Sequence, residues 1–513
     1  MRARAISPAA IALVGALGCA SGGAMHTTPI ENASSVRELR AAIDSMADAR
    51  EFRNAYWGIL IVDPDAGDTL YSRNAGKLFM PASNMKIITG SVALATLGPD
   101  FRFRTVFATR GAVRDTVLEG DLEIYGRGDP TISEHMHEGD AMVSLHEIAD
   151  SLAARGIHRI AGRLVPAGDA FPDADLGFGW SWDDLASDYS AGVDELFFNE
   201  GFANIVVRGG AIPGDPASVT TLPDRSYPVV VSHVTTAGMV PMLAASGSAP
   251  DSAMPLESLM TTDVEVALDT LTDAYVLSGR IVPNGVDTLT VVYPNQQTAY
   301  LLALRDALAD RGIMVDGGSF GDTAPIDTLF RYQSPPLRDV LVALAKPSQN
   351  QIAEILLKTL GLERTGVGSA DSGRAVVRAK LLEWGADSDG FVLRDGSGLS
   401  RYDYLSPTTI VHALASIRND TAFAAFYNAL PIAGVDGTIE NRMRGTPAQG
   451  NVHAKTGSIA NARSLSGYVT TRDGRMLIFS LLCNNWTVPA RDVLHVQDVI
   501  AARLASLTLK APD

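Results

Sequence analysis

Three short groups of residues, far apart in the chain, carry side chains suited to acyl transfer. Ser83-Asn84-Met85-Lys86 sets a hydroxyl three residues before an amine. Ser348-Gln349-Asn350 sets a hydroxyl near a carboxamide, and Lys455-Thr456-Gly457-Ser458 sets a second amine on an extended run. On a helix, residues i and i+3 share a face, which puts Ser83 and Lys86 within hydrogen-bond reach. A helix amino terminus disfavours a nearby cation, and burial lowers an amine's proton affinity further. A neutral Lys86 then takes the hydroxyl proton as Ser83 attacks a carbonyl, the serine–base logic of covalent catalysis. Arginine, which keeps its proton, cannot do this. Only seven of the 42 lysines and arginines are lysine, and none lies between Lys86 and Lys346.

The other two groups have companion roles. Ser348 would relay a proton to a leaving amine, and Asn350 would hold the amide of the acyl side. The same residues also read as a capping box, Ser348-x-x-Gln351, opening the helix that follows. If the strand alternates regularly, Lys455 and Gly457 point to one side. Lys455 and Thr456 would bind a terminal carboxylate, while Gly457 would let a substrate backbone approach as an added strand. The backbone N–H groups of Ser83 and Ser458 would form an oxyanion hole. Each motif alone has an ordinary structural explanation, but their order and context make the set specific.

Competing sites are weaker. No Gly-x-Ser-x-Gly elbow or His-Glu-x-x-His occurs. His135 and His137, near Glu134 and Glu138, have metal-ligand character but lie in a polar stretch. His453, close to Lys455, has no positioned partner. No metal or cofactor is expected.

The composition fits this chemistry. A formal charge of −16 leaves no basic stripe for nucleic acid, and 46% hydrophobic with 19% charged residues describes a soluble globular protein. At 513 residues the chain should hold more than one domain. Residues 1–24 read as a processing segment: Arg2 and Arg4 precede a short apolar run from Ile11 to Leu17, which is too short to span a bilayer. The working compartment is then the bacterial periplasm or cell envelope. An alternative ends a lipoprotein-like signal at residue 18 and makes Cys19 the lipidated first residue, a membrane tether. Either way Cys483 is left alone and no internal disulfide is expected.

Both ends of the chain read as helix plus antiparallel hairpin. Val36, Leu39, Ile43 and Met46 have helical spacing, followed by strands over Tyr56 to Val62 and Thr69 to Ser72. A helix runs from about Ser83 to Leu97 and closes at Gly98. Near the carboxyl end, strands Leu465 to Thr470 and Met476 to Cys483 flank an Asp-Gly turn, and a terminal helix carries Val493, Val496, Val499, Ile500 and Leu504. One sheet built from both ends, with the termini on one face, is the economical arrangement. Residues 105–332 read as short strands with one convincing helix, about Ala141 to Ala154. They suggest one or two inserted β-rich domains. Helices are expected again over Gln349 to Leu360 and around Ala375 to Trp384.

The whole pattern resembles the low-molecular-mass class C penicillin-binding proteins, the D-alanyl-D-alanine carboxypeptidase/endopeptidases of peptidase family S13. Seven segments carry the resemblance: Pro81 to Lys86 with Leu97 to Asp100; Gly126 to Pro130; Ser348 to Glu354; Asp395 to Arg401; Pro431 to Thr438; and His453 to Gly457. It implies an α/β (α+β) fold, a serine β-lactamase/transpeptidase-like domain from 33–104 and 333–513, an antiparallel sheet flanked by helices, with two domains inserted between. It further implies that Ser83 is acylated by the penultimate D-alanine carbonyl of a peptidoglycan stem peptide, that water then frees the enzyme, and that β-lactams acylate the same serine. With a cross-link as substrate the same cycle is endopeptidase action. Gln349 departs from the frequent aspartate and is expected to face away from substrate. Rival readings are a β-lactamase or esterase of the same fold, and a non-catalytic penicillin- or peptidoglycan-binding envelope lipoprotein.

Overall fold

The computed structural model describes residues 35–238, 262–320 and 325–509; the leader with Cys19 lies outside them. Its central element is a five-stranded antiparallel sheet in the order Asp68–Arg73, Tyr56–Asp63, Met476–Asn484, Ala462–Thr470, His453–Ile459. The two ends of the chain are therefore neighbours at the sheet's centre, with Trp57 opposite Cys483 and Ile61 opposite Phe479.

Period-two alternation gives each face of this sheet its own core. Trp57, Ile59 and Ile61, with Leu477, Phe479 and Leu481, pack against Leu39, Ile43, Val493 and Ile500 of the terminal helices. Leu60, Tyr468, Ile478 and Leu482 face the opposite way, into a cluster with Ile88, Leu341, Leu356 and Leu414. Burial on both faces explains why Met476 to Cys483 is almost uninterruptedly apolar, although antiparallel strands usually alternate. Each large side chain buried this way stabilises the fold by about 1.5–3 kcal/mol. The amino-terminal helix, Val36–Ala47, starts where the Ser35 hydroxyl accepts from Glu38 N at 3.3 Å.

The Met85–Leu97 helix is buried on nearly every side, between the sheet and the Asn350–Thr365 and Pro407–Arg418 helices. Gly98, at φ 81°, ends it. The helix starts two residues later than expected. Ala82–Asn84 form a 3₁₀ turn, and Ala82 adopts φ 47°. A non-glycine residue held in this left-handed region is strained. Helices Leu337–Ala345, Ala370–Glu383 and Phe423–Ala429 complete the inner layer.

Among the described residues between Arg104 and Gln333 lie four further sheets and two more cores. The strands at the ends of this stretch, Arg104–Thr109 and Asp327–Gln333, pair with each other. Besides the expected helix, seen at Val143–Ala153, a second spans Gln296–Asp310, capped by Asn295. Its stripe of Ala299, Tyr300, Ala303, Leu304, Ala307 and Leu308 has helical spacing, but half of it is alanine, too weak to stand out among strands. Residues of the 171–197 segment depart from these sheets: Phe171, Val193 and Phe197 bury themselves in the inner core beside the Met85–Leu97 helix.

Candidate active site

The three motifs converge on one cleft of about 500 Å³. Ser83, Ser348, Asn350, Thr456, Gly457 and Ser458 line it, while Lys86 and Lys455 lie beneath, only 2% and 1% exposed. Every residue singled out by spacing is therefore at one place.

Lys86 Nζ lies 2.9 Å from Ser83 Oγ, 2.5 Å from Asn350 Oδ1 and 2.9 Å from Ser397 O. An ammonium would donate to all three. A neutral amine has two N–H bonds, which the carboxamide and carbonyl oxygens absorb because neither can donate in return. Its lone pair is then left for the one partner that carries a proton, Ser83. Burial depresses the Lys86 amine to about 7, against the opposing pull of Asp395 and Glu354.

The second wall is built on the edge strand His453–Ile459. Lys455 Nζ donates to Ser348 Oγ at 2.7 Å and to Thr456 O at 3.0 Å. Because Ser348 accepts from Lys455, its own proton is free to be given away. Burial, then the proximity of Lys86, holds the Lys455 amine well below the ordinary lysine range. Thr456 bonds Thr438 hydroxyl to hydroxyl at 2.7 Å. Asn84 ties the two walls, donating to Lys455 O at 2.8 Å.

A Cβ on Gly457 would lie 2.6 Å from Pro81 O and 2.9 Å from Ser83 N. This glycine thus permits the close approach of the Pro81–Ser83 turn, which brings the Ser83 amide against the strand carrying Ser458. One expectation is corrected. The Ser348-x-x-Gln351 capping box does not form. Ser348 sits at φ 70° and turns its hydroxyl to Lys455, and Gln349 is the cap, accepting from Gln351 N at 3.2 Å. Gln349 does lie off the cleft.

Spacing did not single out the support behind Lys86. Glu354, one helical turn after Asn350, accepts from Ser397 N at 2.8 Å and from Gly396 N at 3.1 Å, fixing the loop whose carbonyl meets Lys86. Asp395 holds the same loop through Gly398 N and Ser400 N, and receives Trp180 Nε1 at 2.9 Å. Burial and Asp395 push the fully buried Asp403 carboxyl well up, and its Oδ2 meets no donor. An acid within Ile352-Ala353-Glu354-Ile355-Leu356 was a legible signal for a buried carboxyl.

The inserted region reaches the cleft too, through Ser181, Asp183, Asp184 and Tyr189. The competing histidines do other work. His137 bonds Ser144 at 2.8 Å, and His453 stacks on Tyr427 with ring centres 4.0 Å apart. Among the described residues no three His, Cys, Asp or Glu side chains form a metal-holding group.

The chain matches the D-Ala-D-Ala carboxypeptidase 3 (S13) family over residues 39–507. It is 33% identical over 492 residues to the D-alanyl-D-alanine carboxypeptidase of an Actinomadura species, spanning 91% of this chain and 84% of that protein. It is 27% identical to D-alanyl-D-alanine carboxypeptidase DacB of Haemophilus influenzae, over 81% of this chain and 82% of that one. The crystal structure of penicillin binding protein 4 from Haemophilus influenzae shares the fold at TM-score 0.72 and 23% identity, covering 90% of this chain and 97% of the other.

Proposed function

The chain belongs to the D-Ala-D-Ala carboxypeptidase 3 (S13) family, a serine-type D-Ala-D-Ala carboxypeptidase by that kinship, and from this premise we propose that Ser83 is its nucleophile, acting on peptidoglycan stem peptides. The observation that carries the assignment is the buried Lys86 amine. Two of its contacts can only accept, and the third is the Ser83 hydroxyl.

The cycle follows from those contacts. Ser83 Oγ attacks the penultimate D-alanine carbonyl while its proton passes to Lys86. The amides of Ser83 and Ser458 meet the developing oxyanion. The C–N bond breaks, and the departing amine of D-alanine takes through Ser348, which Lys455 backs, the proton that Lys86 had received, so that Lys86 is neutral again. A Ser83 ester remains. Water attacks it, losing its proton to Lys86, which returns it to Ser83 Oγ as the ester bond breaks and the shortened peptide is released. Lys455 and Thr456 receive the terminal carboxylate. A cross-linked peptide entering the same cleft gives endopeptidase action, and a β-lactam carbonyl in place of the peptide acylates Ser83.

Glu354 favours this reading over a β-lactamase. Its oxygens are committed to the backbone of the 396–397 loop rather than to a water beside Ser83. The 1–24 segment supports export to the cell envelope, with Cys19 as a lipid anchor in the alternative; cell fractionation with and without a Cys19→Ser change tests both. Among the described residues no helix is long and apolar enough to cross a membrane.

The test of the site is labelling with fluorescent penicillin followed by peptide mapping, alongside release of D-alanine from an acyl-D-Ala-D-Ala peptide. One adduct should map to Ser83 and vanish in Ser83→Ala, with hydrolysis falling by about 10⁴-fold or more. Label at another residue, or label that survives the substitution, removes the assignment.

A further inference from the structure

The Ser348–Gln351 turn is not held by the catalytic region alone. Three successive side chains bond the inserted region instead. Asn350 Nδ2 donates to Tyr189 O at 2.7 Å, Gln351 Nε2 donates to Asp188 O at 2.7 Å, and Gln349 Nε2 donates to the Glu200 carboxylate. The backbone is left-handed on both sides of the last contact: Ser348 at φ 70°, Asn199 at φ 45° and Glu200 at φ 57°. Non-glycine residues keep such conformations only where their surroundings over-determine them. Glu200 is also buried, with Gln349 as its hydrogen-bond partner. A buried carboxylate so held is a fixed reference point, not a solubilising side chain.

We propose that Glu200 is a positioning residue that sets the Ser348–Asn350 turn through Gln349. Its acceptor fixes which way the Gln349 carboxamide faces. The carboxamide oxygen is thereby aimed at Gln351 N, so the Asn350–Thr365 helix begins at Asn350 and no earlier. Tyr189 O likewise fixes the Asn350 carboxamide with its nitrogen outward, leaving the oxygen for Lys86. Ser348, forced out of the helix, turns its hydroxyl to Lys455. The inserted region thus completes the catalytic turn. This inference rests on the acyl-transfer reading of the cleft.

The test compares Glu200→Gln, which keeps an acceptor of the same shape, with Glu200→Leu, which keeps the size without it, and adds Gln349→Leu and the double Leu variant. The readout is the rate of Ser83 acylation by fluorescent penicillin. Glu200→Leu should slow it about tenfold to a hundredfold, the loss that a small misplacement of reacting groups produces, and Glu200→Gln should stay within about threefold of native. Gln349→Leu should match Glu200→Leu, and the double variant should be no slower than either. A native rate in Glu200→Leu, or single losses that multiply in the double, overturns the proposal. Hydrogen exchange at the 349–351 amides reads the same contact without any reaction. Protection should fall in Glu200→Leu and persist in Glu200→Gln, so a native protein inert to penicillin would count against the function and not against this contact.

Discussion

The two walls of the cleft bury their lysines to the same depth and treat them differently. Lys86 lies near Asp395 and Glu354, whose negative charge offsets part of the desolvation and holds the amine at about 7. Lys455 has no such acidic relief: its resolved influences are burial and Lys86 itself, and both drive the proton off. Depth alone therefore does not assign an amine its role; the charge packed behind it does. One wall keeps a base poised near neutrality. On the other, burial and Lys86 hold the amine well below the ordinary lysine range.

Exchanging one wall's chemistry at a time tests that contrast. Lys86→Met keeps the length and removes the base, and Ser83 acylation should fall by about 10²–10⁴-fold; a loss under tenfold would mean that another group takes the proton. Lys455→Met should cost about 10- to 100-fold in kcat/KM on an acyl-D-Ala-D-Ala peptide, mostly through KM, since a charge-assisted contact is lost. The same peptide amidated at its carboxyl end should lose little between native and variant; an equal loss would deny Lys455 the carboxylate.

The pH dependence sharpens the comparison further. Below about 7 Lys86 is an ammonium whose lone pair is taken, so native acylation should fall tenfold per pH unit there and level off above. Asp395→Asn removes negative charge near Lys86, which favours the neutral amine. The acid limb should then move to lower pH, by about one unit. Movement to higher pH would show that the carboxylates do not act on Lys86. The smallest effect belongs to His453→Phe, which keeps the stack on Tyr427: the rate and its pH profile should be unchanged, and a lost limb would make His453 the base.

Much of this was legible in the chain because the signals are local. Ser83 and Lys86 are one helical turn apart, the Arg472–Arg475 turn announces its hairpin, and the helix-plus-hairpin pattern at both ends announces one shared sheet. What escaped depends on contacts between distant segments. The Ser348-x-x-Gln351 spacing fits a capping box, yet Lys455 and the carbonyls at Asp188 and Ala191 claim those side chains. The approach of the Pro81–Ser83 turn to Gly457 likewise joins segments far apart in the chain. The part played by residues 180–200 has no periodicity at all, because it works largely through backbone carbonyls that any sequence would supply.

The pairing of Tyr56–Asp63 with Met476–Asn484 has a consequence for how the protein is born. A ribosome delivers the first of these strands hundreds of residues before its partner, so the early hairpin must wait with a bare edge. The cleft-lining strand His453–Ile459 reaches that hairpin only through Ala462–Thr470 and Met476–Asn484, and such long-range closure is slow. Reactivity is thus deferred to the final act of folding, and a chain cut short before Met476 would be harmless as well as unstable.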